Sequence, residues 1–128
     1  MQVRDGMSSV VLTVGPSHSL SAAARLMTER NVGAAVVVDP DGAGFAIVTE
    51  RDILRSVAAG EEPSAESVGE HLTGDLIVAA PDWSLEQAAE AMLAGGFRHL
   101  LVVNGPDLEG ILSMRDIVRC WSRAGVAG

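Results

Sequence analysis

Apolar residues along the chain fall into two kinds of run. Val10-Val11-Leu12-Thr13-Val14 is β-branched, ends at a turn before Pro16, and predicts a strand. Leu20, Ala23, Ala24 and Met27 then fall at i, i+3, i+4 and i+7, the stripe of an amphipathic helix that Ser19 is placed to cap. Beyond Asn31, Val32 to Val38 is a near-continuous apolar strand, Pro40-Asp41-Gly42 a turn, and Phe45 to Val48 a further strand. The chain next meets Thr49 and a helix carrying Ile53, Leu54 and Val57 that ends near Gly60. The order is β-α-β-β-α.

That order returns after a linker, Glu61-Glu62-Pro63-Ser64. Pro16-Ser-His-Ser-Leu20 is answered by Pro81-Asp-Trp-Ser-Leu85, Met27 by Met92, and Val36-Val-Val-Asp39 by Leu101-Val-Val-Asn104, all 65 residues on. Thr49 and Asp52 are answered by Ser113 and Asp116, 64 residues on, so one residue is lost between Asp39 and Ala46, where Gly, Pro and Asp make deletion cheap. Val3 to Met7 and Val68 to Leu72 read as short helical lead-ins, with Ser8 and Thr73 at their exits. Ser84 with Gln87 forms a capping-box pattern, and Gly95-Gly96 suits a helix end. The units are residues 1–60 and 68–124, with 61–67 as linker and lead-in. A three-stranded sheet with helices on one side leaves its other face apolar, and two units would bury those faces against each other.

Composition narrows the function. The 128 residues, 48% apolar, suffice for one compact core. A net charge of −8 without a single lysine disfavours nucleic acid, which needs clustered cations. No apolar run reaches the ~18 residues of a membrane span and the N-terminus has no signal-peptide core, so a soluble, cytoplasmic protein is expected. Cys120, the one cysteine, excludes an internal disulfide and a cysteine-built zinc site. It reads as a small apolar residue of the last helix; a redox role would need an accessible thiol, with only Arg119 and Arg123 beside it. His18, His71 and His99 lack metal-ligand spacing and triad partners, and no Gly loop precedes a lysine. No metal, no cofactor and no enzyme activity are expected.

The candidate chemistry lies in Thr49-Glu-Arg-Asp52 and Ser113-Met-Arg-Asp116. A hydroxyl at a helix N-terminus suits a phosphate oxygen, and a carboxylate one turn on can accept both hydroxyls of a ribose. The same spacing is equally a capping box, worth about 1 kcal/mol to its helix. Spacing alone leaves both readings open.

The repeated Val3-Arg-Asp-Gly-Met7, Leu20 to Met27, Val32 to Asp39 and Ile47 to Asp52, with their partners in the second copy, resemble the cystathionine β-synthase (CBS) domain family in tandem, a Bateman module, over residues 3 to 122. The resemblance implies an α+β fold of two βαββα units paired by pseudo-twofold symmetry. It implies adenosine-containing ligands such as AMP, ATP or S-adenosylmethionine in clefts between units, and regulation of another protein, here a separate and unidentified chain. Carried onto this sequence, the adenine segments are Val11, Thr13, Ala34, Ala35 and Val36 in one site and Ile77, Val78, His99, Leu100 and Leu101 in the other. Thr49 with Asp52, and Ser113 with Asp116, would hold ribose and phosphate. Arg98-His99 stands where the family often has a His-Arg pair; Arg98 reads as phosphate-facing or as a solvated partner of Glu86 or Glu90. Arg51 and Arg115 are further phosphate candidates.

The chain departs from the family at Val36 and Leu101, often proline, and at Ala46, where the second copy keeps Gly110. With few cations against −8, an AMP-like or adenosyl ligand is favoured over ATP. An apolar helix face around Ile53, Val57, Ile117 and Trp121 predicts a homodimer. The alternative function is a ligand-free structural or dimerisation module.

Overall fold

A computed structural model describes residues 1–39, 41, 44–73 and 78–124. The chain forms two compact units, residues 11–76 and residues 1–10 with 77–128. Each is a three-stranded sheet with helices packed on one face, so the α+β reading and the βαββα order hold.

In the 11–76 unit, β1 (Thr13–Val14) runs parallel to β2 (Ala34–Val38), and β2 is antiparallel to β3 (Phe45–Thr49). The β-branched run that predicts a strand from Val10 joins the sheet only from Leu12, whose carbonyl accepts the Val36 N–H at 2.9 Å. Helix α2 (Leu20–Arg30) starts where the Ser19 hydroxyl accepts the Ala22 N–H and stops at Asn31, left-handed at φ 53°. Its Leu20, Ala23 and Met27 are buried against Ala35, Val37 and Val48. Ala34, Val36 and Ile47 alternate onto the opposite sheet face and are buried too. Helix α3 (Glu50–Ala58) follows directly, and the predicted end near Gly60 corresponds to its φ of 83°.

The other unit repeats the plan. Here β4 (Val78–Ala79) is parallel to β5 (His99–Asn104), and β5 antiparallel to β6 (Asp107–Ser113). The β5–β6 loop is Gly105-Pro106, with Gly105 at φ 60° as a type II′ hairpin turn requires. Helix α4 (Leu85–Gly95) carries the predicted Ser84–Gln87 capping box and ends at Gly96, φ 73°. Helix α5 (Met114–Arg123) closes the unit, and the predicted end at Gly125 lies outside the described residues.

The sequence repeats and the compact units are cut differently. The first lead-in, labelled α1 (Val3–Gly6), packs with the second repeat: Val3 is fully buried among Ala79, Leu85 and Leu112, and its N–H donates to the Trp83 carbonyl at 2.7 Å. The second lead-in, a 3₁₀ turn at Val68–Glu70, packs with the first repeat, its buried Val68 among Leu12, Leu20 and Val48. Each exit also edges the sheet it has joined. Ser8 exchanges two backbone hydrogen bonds with Ile111 (2.9 and 3.0 Å), and the Thr73 N–H donates to the Ile47 carbonyl at 2.9 Å.

That exchange explains Gly110. A Cβ there would collide with the Ser8 carbonyl and touch the Met7 sulfur, so the glycine makes room for the chain's own backbone. The expected apolar helix face needs correction. Ile117 is 2% exposed and is core, while Ile53 and Trp121 pack partly against the cores. Ile53 with Ser56, and Ile117 with Cys120 and Trp121, form inward stripes at helical spacing, which leaves Leu54 (67% exposed), Val57 and Val118 outside. No described helix is long and apolar enough to cross a membrane.

Two outcomes are expected. Val3→Ala should strip hydrogen-exchange protection from β5 and β6 more than from β2 and β3, although Val3 lies in the first sequence repeat; equal loss in both sheets would contradict the exchange. Gly110→Ala should cost about 1–3 kcal/mol in urea unfolding. The matching Ala46→Gly, where a Cβ is already accommodated, should cost only about 0.5–1 kcal/mol.

Candidate functional site

Both Ser/Thr-x-x-Asp motifs sit where a sheet edge strand runs into a helix. In the 11–76 unit, the register sets Thr13 beside Val36 and Ala34 opposite Thr49, so these predicted residues share one end of the sheet. The Gly33 carbonyl accepts the Glu50 N–H at 2.9 Å, tying the start of β2 to the start of α3. Thr13 is exposed, Val11 is half-buried, and Ala34 is 5% exposed. Ala35 points into the helix-side core, so its backbone alone faces outward chemistry.

The motif closes on itself. The Thr49 hydroxyl accepts the Asp52 N–H at 3.3 Å, and Asp52 Oδ2 accepts the Thr49 N–H at 2.8 Å, a complete capping box. The same Oδ2 also accepts hydroxyl hydrogens from Thr49 (2.9 Å) and from Thr73 (2.6 Å), 21 residues away. Three donors on one oxygen hold it firmly in place.

The second unit repeats the frame with different occupancy. Val78 on β4 lies beside Leu101, and His99 opposite Ser113. The Arg98 carbonyl accepts the Met114 N–H at 2.8 Å, the counterpart of Gly33 and Glu50. Leu100 and Leu101 are fully buried, Leu100 in the helix-side core; His99 is half-buried and Val78 exposed. Ile77 lies outside the described residues. Arg98 is exposed, and among the described residues no ion pair joins it to Glu86 or Glu90.

Ser113 and Asp116 again form a capping box, with the Asp116 N–H on the Ser113 hydroxyl at 3.1 Å and the Ser113 N–H on Asp116 Oδ2 at 2.8 Å. Ser8, the repeat partner of Thr73, instead donates its hydroxyl to the Val10 carbonyl at 3.0 Å. Asp116 Oδ1 takes Arg119 Nη1 at 3.0 Å, a pair in which Arg119 is 47% exposed. Such a pair is worth about 0–1 kcal/mol and yields easily to a competing ligand. Arg51 and Arg115, each following a cap, are exposed.

The sheet ends therefore bring together, within each unit, the predicted strand segment, hydroxyl and carboxylate. The groups supply hydrogen-bond donors and acceptors for a polyhydroxylated, phosphorylated ligand. Sequence reasoning missed the Thr73–Asp52 bond and the Arg119–Asp116 pair. Thr73 was visible as a lead-in exit, but nothing in its spacing announces a partner 21 residues upstream. An open groove of about 670 Å³ lies elsewhere, over α4, bordered by Met1, Glu86, Glu90, Leu93 and Trp121, and contains none of the candidate ligand residues.

Comparisons with known proteins agree with the repeat and the fold. The CBS domain model matches residues 2–59 and 68–123. The CBS domain-containing protein YhcV of Bacillus subtilis is 36% identical over 116 residues, covering 90% of this chain and 81% of that protein. Other curated relatives are longer, and the chain spans 41% of one and 66% of another. Among solved structures, a CBS-domain containing protein from Agrobacterium tumefaciens is 34% identical with a TM-score of 0.85, covering 92% of this chain and 91% of that one. A CBS domain protein from Pyrobaculum aerophilum, solved in complex with AMP, is 27% identical with a TM-score of 0.80, covering 91% and 89%. The chain belongs to the CBS domain family, as a tandem pair of CBS domains.

Proposed function

We propose that this CBS pair is a regulatory module that binds an AMP-like or adenosyl ligand and so modulates a separate protein, without catalysing a reaction. The observation that carries the reading is the Ser113–Asp116 motif at the end of β6: a hydroxyl and a carboxylate at a helix start, beside the exposed, cationic Arg98. The AMP complex of the Pyrobaculum aerophilum relative supports the ligand class.

The second-repeat site is the favoured one. Asp52 Oδ2 already holds three donors, and Gly33-Ala34 offers no charge for a phosphate. Asp116 has one backbone donor on Oδ2 and a weak, exposed arginine on Oδ1, and Arg98 stands one residue before β5. Scarce cations in a chain of net charge −8 favour a monophosphate or adenosyl group over ATP.

A second reading, the ligand-free structural or dimerisation module, is favoured by two observations. Val36 and Leu101, where the family often has proline, are fully buried strand residues, and Ser8 already fills the space beside Gly110.

A thermal-shift and calorimetric screen with AMP, ADP, ATP, S-adenosylmethionine and NADH separates the two. AMP or an adenosyl ligand at a hundredfold excess over Kd should stabilise the chain by about 2.7 kcal/mol. Asp116→Ala should weaken binding roughly tenfold to a hundredfold, the worth of a charge-assisted hydrogen bond, and Asp52→Ala much less. No shift with any ligand, in a chain that melts cooperatively, would favour the structural module.

Self-association belongs to the same proposal, through the exposed apolar residues Leu54 and Val57 of α3 and Val118 of α5. Light scattering at micromolar concentration should give a homodimer, and Leu54→Glu with Val118→Glu a monomer. A monomeric wild-type chain would contradict it.

A further inference from the structure

Away from the ligand motifs, the segment connecting the repeats gathers three metal-ligating side chains within the 11–76 unit. His71 Nε2 lies 2.8 Å from Glu66 Oε1 and 3.8 Å from Glu61 Oε1, and one ligand atom from each residue falls within 4.8 Å of the others. Tetrahedral zinc, with bonds of about 2.0–2.1 Å, needs its ligand atoms about 3.3 Å apart, midway between these two separations. Side-chain shifts of about half an ångström would bring each carboxylate oxygen to that distance from Nε2.

The three groups are held from different directions. Ser56, 2% exposed, donates its hydroxyl to Glu61 Oε1 at 3.0 Å, and its carbonyl accepts the Glu61 N–H at 3.1 Å. The Glu66 N–H is bonded to the Glu62 carbonyl at 3.1 Å, and the His71 N–H to that of the buried Val68 at 3.0 Å. A buried hydroxyl orienting a carboxylate ligand is the outer-shell arrangement metal sites use. The carboxylates of Glu66, Glu61 and Glu70 place the imidazole in a negative field.

We infer that Glu61, Glu66 and His71 form a site for one divalent transition-metal cation of the zinc type, with a fourth position open to solvent. A single imidazole proton at Nε2 points to one carboxylate only, whereas a divalent cation in its place engages both and cancels their two charges. The imidazole selects against magnesium and calcium, which prefer an all-oxygen shell. The side chains are 17%, 38% and 22% exposed for His71, Glu61 and Glu66, which leaves a path for the ion. Histidine spacing hid the site, because the partners of His71 are carboxylates 5 and 10 residues upstream. The inference is independent of the nucleotide reading.

The test is calorimetric titration of the chelator-treated full chain with Zn²⁺, repeated with Mg²⁺, and the visible spectrum of the Co²⁺ form. One equivalent of Zn²⁺ should bind, Co²⁺ should give tetrahedral bands, and Mg²⁺ should bind at least about tenfold more weakly. His71→Gln and Glu61→Gln should each weaken Zn²⁺ at least about tenfold, and Ser56→Ala about tenfold through the lost outer-shell bond. His18→Gln and Cys120→Ser should bind as the wild type does. Should His71→Gln fail to fold, Glu61→Gln alone decides. No Zn²⁺ binding, or binding unchanged in the Glu61 and His71 variants, overturns the inference, as does loss of binding with Cys120→Ser.

Discussion

Each βαββα repeat leaves a gap in its own core, at the foot of its first helix, that an apolar residue from the other repeat's lead-in fills. Val3 is buried against Leu85 of α4 and Val68 against Leu20 of α2, and each arrives with a backbone bridge that extends the sheet it has joined. Full burial of a valine side chain stabilises by roughly 1.5–3 kcal/mol, a large share of the margin by which a small domain stays folded. The constraint radiates outward. Gly110 is glycine because Ser8 must reach Ile111, and Thr73 reaches Asp52 because the second lead-in must pass the end of β3.

The proposed ligand motif and the helix cap are one object. Thr49 with Asp52, and Ser113 with Asp116, satisfy the orphan N–H groups of their helices whether or not a ligand arrives. A ligand bound there as proposed would have to compete with hydrogen bonds already made, and the two copies differ in how much they would concede. Asp52 is held by three donors, one of them reaching across from the lead-in, while the Asp116 side chain is shared between a backbone N–H and a solvent-washed arginine. Under the proposed function, a duplicated motif whose neighbours have diverged, Thr73 against Ser8 and Gly33 against Arg98, divides its labour between structure and recognition.

Most of the architecture was legible because the repeat stated it twice. The stripe of Leu20, Ala23 and Met27 and its echo in Leu85, Ala88 and Met92 gave both helices, Asn31 and Gly96 their ends, and the hydroxyl residues their caps. Periodicity reports which face of an element is apolar, not which partner covers it. For that reason the destination of Val3 and Val68, the donor from Thr73, and the inward turn of Ile117 escaped the pattern. Strand length escaped it too: Val10 and Val11 have the β-branched side chains of a strand, but among the described residues the run pairs with the sheet only from Leu12 onward.

The crossed lead-ins give the chain a topology that cannot be halved. A cut in the connecting segment before Val68 would release two fragments, each carrying the plug that belongs in the other's core. Neither fragment would then be a smaller copy of the whole, and both would present an unfilled apolar socket beside a spare lead-in. Two such halves from different molecules have the parts to complete one another, which is the recipe for exchange of a terminal segment between chains. The smallest self-sufficient piece of this protein is the pair.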